Sequence, residues 1–313
     1  MFNSCYPSPR ALGLSCRLRV SKYQRRNKLM ILLLFVALLM SQVNAHPKIS
    51  SIGGTILVAT MTSNNVTVAE DSRIGGAGKY CDEDCKIIGL GGKLIFGFAG
   101  PRKLDVTAAT HWEAHAAAAH AYRLAQPKTA YETAKQFAIL ANTIFEKSIK
   151  AVGAKDFIAM TGGHADDLCM ALFVGINKSN GKPEGYAVRF SYSVPKQSAG
   201  YQIMGIVQPK RPGDPYGAFD AGSDTKVIEE IKSGQSFWAN SELKRWNQSV
   251  AGKSFDEKAI LYAVELVNWE INYSHDPNIG GKVDYMVLTR DGIADHRKPS
   301  CHGQDENRIC KPR

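Results

Sequence analysis

Two pairs of apolar runs, each joined by a turn, open the region beginning at Thr55, and they constrain the fold more than any other feature of the chain. Ile56-Leu57-Val58-Ala59 is continuously apolar, as in a strand buried on both faces. Ser63-Asn64-Asn65 supplies turn chemistry and Val66-Thr67-Val68-Ala69 runs back, so residues 55–71 are predicted as a hairpin. A loop containing Gly75, Gly76 and Gly78 leads into Lys86-Ile87-Ile88-Gly89-Leu90. Gly91-Gly92 then turns the chain into Leu94-Ile95-Phe96-Gly97-Phe98-Ala99-Gly100, a second hairpin.

Helical sequence follows. Residues 105–124 are rich in Ala and are predicted as a helix. Residues 129–150 place Ala134, Phe137, Ala138, Ala141, Ile144 and Phe145 at helical spacing. Strand-like sequence returns at 157–160, 168–176 and 185–192, with a turn at Asn180-Gly181 between the last two. Helices are predicted over 224–233 and 255–274, a strand from Val283 to Thr289, and a polar tail over 294–313. Strands grouped together and helices grouped apart imply an α+β domain whose antiparallel sheets are covered by helices.

Charge excludes one class of partner. The 313 residues carry a formal +10, but seven of those charges lie in residues 1–45, which hold no Asp or Glu. The remaining +3 is ordinary, and no basic-aromatic stripe suggests nucleic-acid binding. Within the basic segment, Arg25, Arg26 and Lys28 precede the 12-residue apolar run Leu29–Met40, too short to span a bilayer comfortably. Val43 and Ala45 then satisfy the small-residue rule for signal peptidase. Residues 1–45 therefore read as a signal peptide for export, with an uncleaved anchor as the alternative. Cysteine usage agrees: Cys81, Cys85, Cys301 and Cys310 sit in polar sequence and would pair in an oxidising compartment, in a connectivity that sequence leaves open. Local pairing needs the least loop closure. Cys169 lies in a strand-like apolar run and reads as inert packing.

The order of motifs resembles a known family. Gly54-Thr55 opens the first strand and Val68-Ala69-Glu70-Asp71-Ser72-Arg73 closes the second. Lys86-Ile87-Ile88 opens the third and Gly97-Phe98-Ala99-Gly100 ends the fourth. This pattern is similar to the catalytic half of proteasome β-subunits and of the bacterial HslV protease, members of the N-terminal-nucleophile hydrolases. The separations of 16 residues from Thr55 to Asp71 and 14 from Lys86 to Gly100 match the family. Ala221-Gly222-Ser223-Asp224 resembles the family's Gly-Ser-Gly loop, and His275-Asp276-Pro277-Asn278-Ile279-Gly280-Gly281 its Asp-x-x-Ser-Gly-Gly segment. Where the family has that second serine, this chain has Ile279.

The resemblance implies a four-layer αββα sandwich over residues 55–292, after a pro-segment of residues 46–54. It also implies a threonine-type peptidase or amidohydrolase in which cleavage after Gly54 exposes Thr55. A terminal threonine carries its own base, because an α-amine titrates near pH ~8. By resemblance, Lys86 lowers the pKa of that amine and Asp71 orients Lys86. Ser223 and Asp276 hold the amine, and the Gly100 N–H stabilises the oxyanion. Phe98 and Ile74 fall at the substrate pocket, where the Phe98 ring would leave room for small side chains. The substrate is a peptide or small amide, and no cofactor, metal or ATPase partner is needed. A homo-oligomer is expected over a monomer. The alternatives are an exported small-molecule amidase or acylase on the same fold, or a catalytically inactive subunit. Each motif alone has a bland reading: a strand threonine, a turn ion pair, a solvated lysine.

Other polar residues are weaker candidates. His111 and His115 read as an i,i+4 pair on a polar helix face, without the Glu spacing of a metalloprotease. Cys301, His302 and Cys310 lack the paired spacing of a zinc site. His164, Asp166 and Asp167 read as loop residues.

Overall fold

A computed structural model describes residues 55–297, apart from stretches at 77–78, 82–84, 108–109, 162, 207–215, 223–224 and 235, together with residues 311–312. The signal-peptide reading of 1–45, the pro-segment 46–54, and Cys301, His302 and Cys310 lie outside the described residues.

The chain opens with β1 (Ile56–Met61), β2 (Asn65–Asp71), β3 (Ile74–Gly76), β4 (Lys79–Cys81), β5 (Ile87–Leu90) and β6 (Leu94–Ala99). Next come β7 (Lys103–Thr107), β8 (Thr110–Glu113), α1 (Ala114–Leu124), α2 (Ala130–Val152) and α3 (Ala154–Met160). Then β9 (Cys169–Ile176), β10 (Pro183–Ser193), β11 (Ser198–Gly205) and β12 (Phe219–Gly222) precede α4 (Lys226–Ser233), α5 (Phe237–Ser249) and α6 (Phe255–Tyr273). Strands β13 (Val283–Thr289), β14 (Gly292–Asp295) and β15 (Lys311–Pro312) complete the described elements. The fold is α+β with antiparallel sheets. One five-stranded sheet has the order β12-β1-β2-β13-β14 and a second the order β11-β10-β9-β6-β5. Small sheets join β15-β4-β3 and β7-β8.

The continuous apolar strands explain the packing, because successive side chains of a strand point to opposite faces. Along β1, Ile56 and Val58 enter an apolar cluster with α4, α5 and α6, around Tyr262, Leu266 and Trp269. Leu57, Ala59 and Met61 instead meet Ile87, Ile95, Leu172 and Val174 of the other sheet. Along β6, Ile95 joins that inter-sheet cluster, while Leu94, Phe96 and Phe98 enter a third cluster with α1, α2 and α3. Gly97 permits the close approach of the two sheets, since a Cβ there would stand 3.2 Å from Leu57.

Two expectations are corrected. The helix predicted over 105–124 begins only at Ala114, and Lys103–Thr107 and Thr110–Glu113 form a hairpin. Val106, Thr107, Thr110 and Trp112 are β-branched or aromatic, and the Leu104–Trp112 cross-strand pair is buried, so packing overrides the alanine-rich average. The strand predicted at 157–160 is the end of α3, where Phe157 and Met160, at i,i+3, pack inward and Phe157 meets Phe145 at 5.5 Å. A short apolar run carries no period that separates the two states. Helix α5 and strand β11 carry weak patterns and were not anticipated.

Phe137 anchors α2 on its sheet. It is fully buried, with ring contacts to Phe96 at 5.3 Å, Phe173 at 5.3 Å and Trp112 at 5.7 Å. Phe137→Ala is expected to lower unfolding free energy by about 3–5 kcal/mol. A urea transition shifted by less than a third of that would show the cluster to be loosely packed.

Candidate active site

Strand register brings distant segments to one end of the two sheets. Ile56 pairs with Gly222, and Val283 with Asp71, so the start of β1, the ends of β2 and β12 and the start of β13 coincide. In the other sheet Ala99 pairs with Met170 and Ile87 with Gly97, which gathers the end of β6 and the starts of β5 and β9. Gly222 is required for this convergence, because a Cβ there would lie 2.2 Å from the Thr55 carbonyl oxygen.

Asp71 is the hub. Its side chain is fully buried, and its Oδ1 accepts hydrogen bonds from the Ile56 N–H at 2.8 Å and the Lys86 Nζ at 2.7 Å. Its Oδ2 accepts from the Gly280 N–H at 3.1 Å. Burial pushes the Asp71 carboxyl above the ordinary carboxylate range, against the pull of the Lys86 charge and the donated hydrogen bonds. Lys86 is itself 3 % exposed, so the pair is an internal ion pair and not a surface one. Next to the hub, the Arg73 N–H donates to the Gly280 carbonyl at 3.0 Å, and the Arg73 guanidinium reaches the Ile279 carbonyl at 3.3 Å. These bonds fix the loop after α6 against the end of β2.

A cleft of about 660 Å³ opens beside this hub. Thr55, Ala99, Gly100, Gly222 and Asp276 line it from the sheets and the α6–β13 loop. His164, Asp166, Asp167 and Cys169 line it from the segment joining α3 to β9. Thr55 is 3 % exposed, and its side chain takes part in no hydrogen bond or ion pair among the described residues. Asp276 Oδ1 accepts from the Asn278 backbone N–H at 2.8 Å and from its Nδ2 at 2.9 Å, which fixes one carboxylate oxygen.

Of the residues read from sequence, Thr55, Gly100 and Asp276 therefore share one cleft, with Asp71 and Lys86 buried behind Thr55. Gly54 and Ser223 lie outside the described residues, as does the side chain of Ile74. Phe98 is buried in the aromatic cluster with Phe96 and Trp112 and is not among the residues lining the cleft. Its ring underlies Gly100, where an added Cβ would lie 3.5 Å from it. The same Cβ would strike Cys169 at 2.4 Å, and Gly100 has φ +136°, so both space and backbone require glycine. Ile279 packs in the apolar cluster under α6.

Asn278 and the 163–170 segment were missed as cleft residues. The Asp-Pro-Asn turn is the one local signal for Asn278, and the loop's place at the cleft is set by tertiary packing alone. His111 and His115 do not form a helical pair: His111 is in β8, against Asp105, and His115 is in α1, with Nε2 3.3 Å from the Lys86 carbonyl oxygen. Cys85, next to Lys86, is buried, and Cys169 is a buried free thiol.

Removing Lys86 leaves a buried carboxylate without its cation. Lys86→Met is expected to cost about 3–5 kcal/mol of stability near pH 7. The sign of its pH dependence follows from the Lys86 charge, which lowers the Asp71 value that burial raises, so that the variant's folded-state value is higher still. A folded-state value raised above the unfolded one (~3.9) means that the deficit is absent below that pH and grows as pH rises through the folded value. Urea unfolding of both proteins near pH 4 and pH 7 checks this; an equal deficit at both would show that Asp71 does not titrate with folding. Comparison of the chain with family models and with curated proteins gives no match.

Proposed function

We propose that this chain is an N-terminal-nucleophile hydrolase resembling proteasome β-subunits, with the four-layer αββα build of that group and Thr55 as its nucleophile. Three alternating apolar clusters, helix against sheet, sheet against sheet and sheet against helix, support the architecture. One observation carries the chemistry. A single carboxylate oxygen, Asp71 Oδ1, binds both the Ile56 N–H, next in chain to Thr55, and the Lys86 ammonium. The cation is thus tied to the backbone that presents a buried, unbonded hydroxyl to a cleft.

In the proposed reaction, Thr55 is freed by hydrolysis of the Gly54–Thr55 bond. Its Oγ1 then attacks the substrate carbonyl carbon and passes its proton to the new α-amine. The carbonyl oxygen becomes an oxyanion that the Gly100 N–H stabilises. Collapse breaks the C–N bond, the leaving amine takes the proton, and the acyl group remains as a Thr55 ester. Water hydrolyses the ester, releasing the acid and restoring Oγ1–H. Lys86 lowers the amine's pKa by its charge, so that more of the amine is unprotonated at working pH. Asp276 and Ser223 orient the amine. Ile279 in place of the family's serine removes one hydrogen bond from that network. No cofactor or metal takes part.

The cleft volume falls within the range of small-ligand sites, which favours short peptides or a small amide over a threaded polypeptide. Export through residues 1–45 belongs to the same reading, and removes the need for an ATP-driven partner. Self-association into a homo-oligomer is consistent with it.

The test is processing and turnover together. Purified wild-type protein is expected to begin at Thr55 by intact mass and to hydrolyse short peptide amides. Thr55→Ser should do both more slowly. Thr55→Ala should keep residues 46–54 attached and lose hydrolysis by a factor of about 10³ or more. Hydrolysis by Thr55→Ala at the wild-type rate would overturn the proposal.

A further inference from the structure

The cleft has a strong charge asymmetry. Asp166, Asp167 and Asp276 line it, and among the described residues that line it there is no Lys or Arg. Asp166 is exposed and makes no hydrogen bond or ion pair among the described residues. Asp167 is half-exposed and shares its charge with the Arg189 guanidinium at 3.4 Å. Asp276 uses one oxygen on Asn278 and faces the cleft beside Thr55. The Lys86 cation lies behind Asp71, which neutralises it. A ligand entering the cleft therefore meets carboxylates, with Asp166 unpaired among the described residues and no Lys or Arg among the described lining residues.

Two observations independent of the carboxylates mark this as a place for a ligand. The cleft is of ligand size, and Thr55, 3 % exposed and with its side chain without a partner among the described residues, is one of the residues lining it. A concave site lined by one sign of charge concentrates the opposite sign, and low-dielectric walls strengthen the effect.

We infer that Asp166 and Asp167 determine specificity for a cationic substrate, a peptide or amide carrying an Arg-like or Lys-like group on the acyl side of the scissile bond. The inference rests on the reading of Thr55 as nucleophile, and it adds the class of substrate. The acidic pair sits on the segment between α3 and β9 that lines the cleft together with Thr55, just before Cys169, which packs on Gly100. An acyl group extending from Thr55 toward that segment places its side chain against Asp166. Asp167 contributes less, because Arg189 competes for it.

Binding and hydrolysis are read separately on mature wild-type protein. Three labelled hexapeptides, with Arg, Leu or Glu before the scissile position and that amide N-methylated against hydrolysis, are titrated by fluorescence anisotropy. The Arg peptide is expected to bind about 5- to 20-fold more tightly than the Leu peptide, with the Glu peptide weakest. Raising salt from about 50 to 500 mM should erode most of that difference. Asp166→Asn should remove at least half of the Arg-over-Leu preference on a logarithmic scale; Asp167→Asn should remove less. Equal affinity for all three peptides, or an undiminished preference in Asp166→Asn, would overturn the inference. Failure to cleave the unmethylated Arg peptide, despite its preferred binding, would instead count against Thr55 as nucleophile.

Discussion

The Asp71–Lys86 ion pair ties together segments that are far apart in the chain. Through one carboxylate it fixes the start of β1, the start of β5 and the loop after α6, by bonds from the Ile56 N–H, the Lys86 ammonium and the Gly280 N–H. Removing two charges from water costs several kcal/mol per ion, which their attraction repays only with good geometry and further hydrogen bonds. An apolar pair of similar volume would often serve stability as well. The pair is therefore weak evidence for stability and better evidence for a task at the start of β1. Burial plus a specific charge partner beside a cleft is the setting in which functional groups are commonly found.

The rest of the site follows from that constraint. With β1 held at Ile56, Thr55 is delivered to the cleft, and β12 must pass so close to its carbonyl that only glycine fits at 222. Gly100 is likewise fixed by contact with Cys169, which lets the end of β6 approach the start of β9. These glycines are there for close backbone approach, and the cleft is the space left where the two sheets end.

Much of this was legible in the sequence, for physical reasons that differ by element. The β1–β2 and β5–β6 hairpins and β13 stood out because continuous apolar runs were bounded by turn residues. Helices α2 and α6 stood out because their apolar spacing persists over many turns. Residues 105–113 misled because alanine content describes helix propensity and not the burial of Leu104 and Trp112 that makes them a hairpin. Residues 157–160 misled because a single turn of apolar sequence carries no period. Asp71, Lys86, Gly100 and Asp276 were legible through spacing and resemblance, and Asp71 with Lys86 then proved to be in direct contact. Asn278, Asp166 and Asp167 were not legible as cleft residues, since their position depends on how the loops fold over the sheet ends. Phe98 was legible as a large ring near the site, but its strand phase turns it into the helix-side core and away from the cleft.

The central claim is that Thr55 Oγ1 is the atom that takes the acyl group. The direct measurement is to incubate the purified protein with an amide-mimicking electrophile that acylates hydroxyl groups, digest it, and locate the adduct by tandem mass spectrometry. The account predicts one stoichiometric adduct, on a peptide whose first residue is Thr55, with no adduct in Thr55→Ala. An adduct on another residue, or labelling of Thr55 only within a peptide that still contains Gly54, would contradict it.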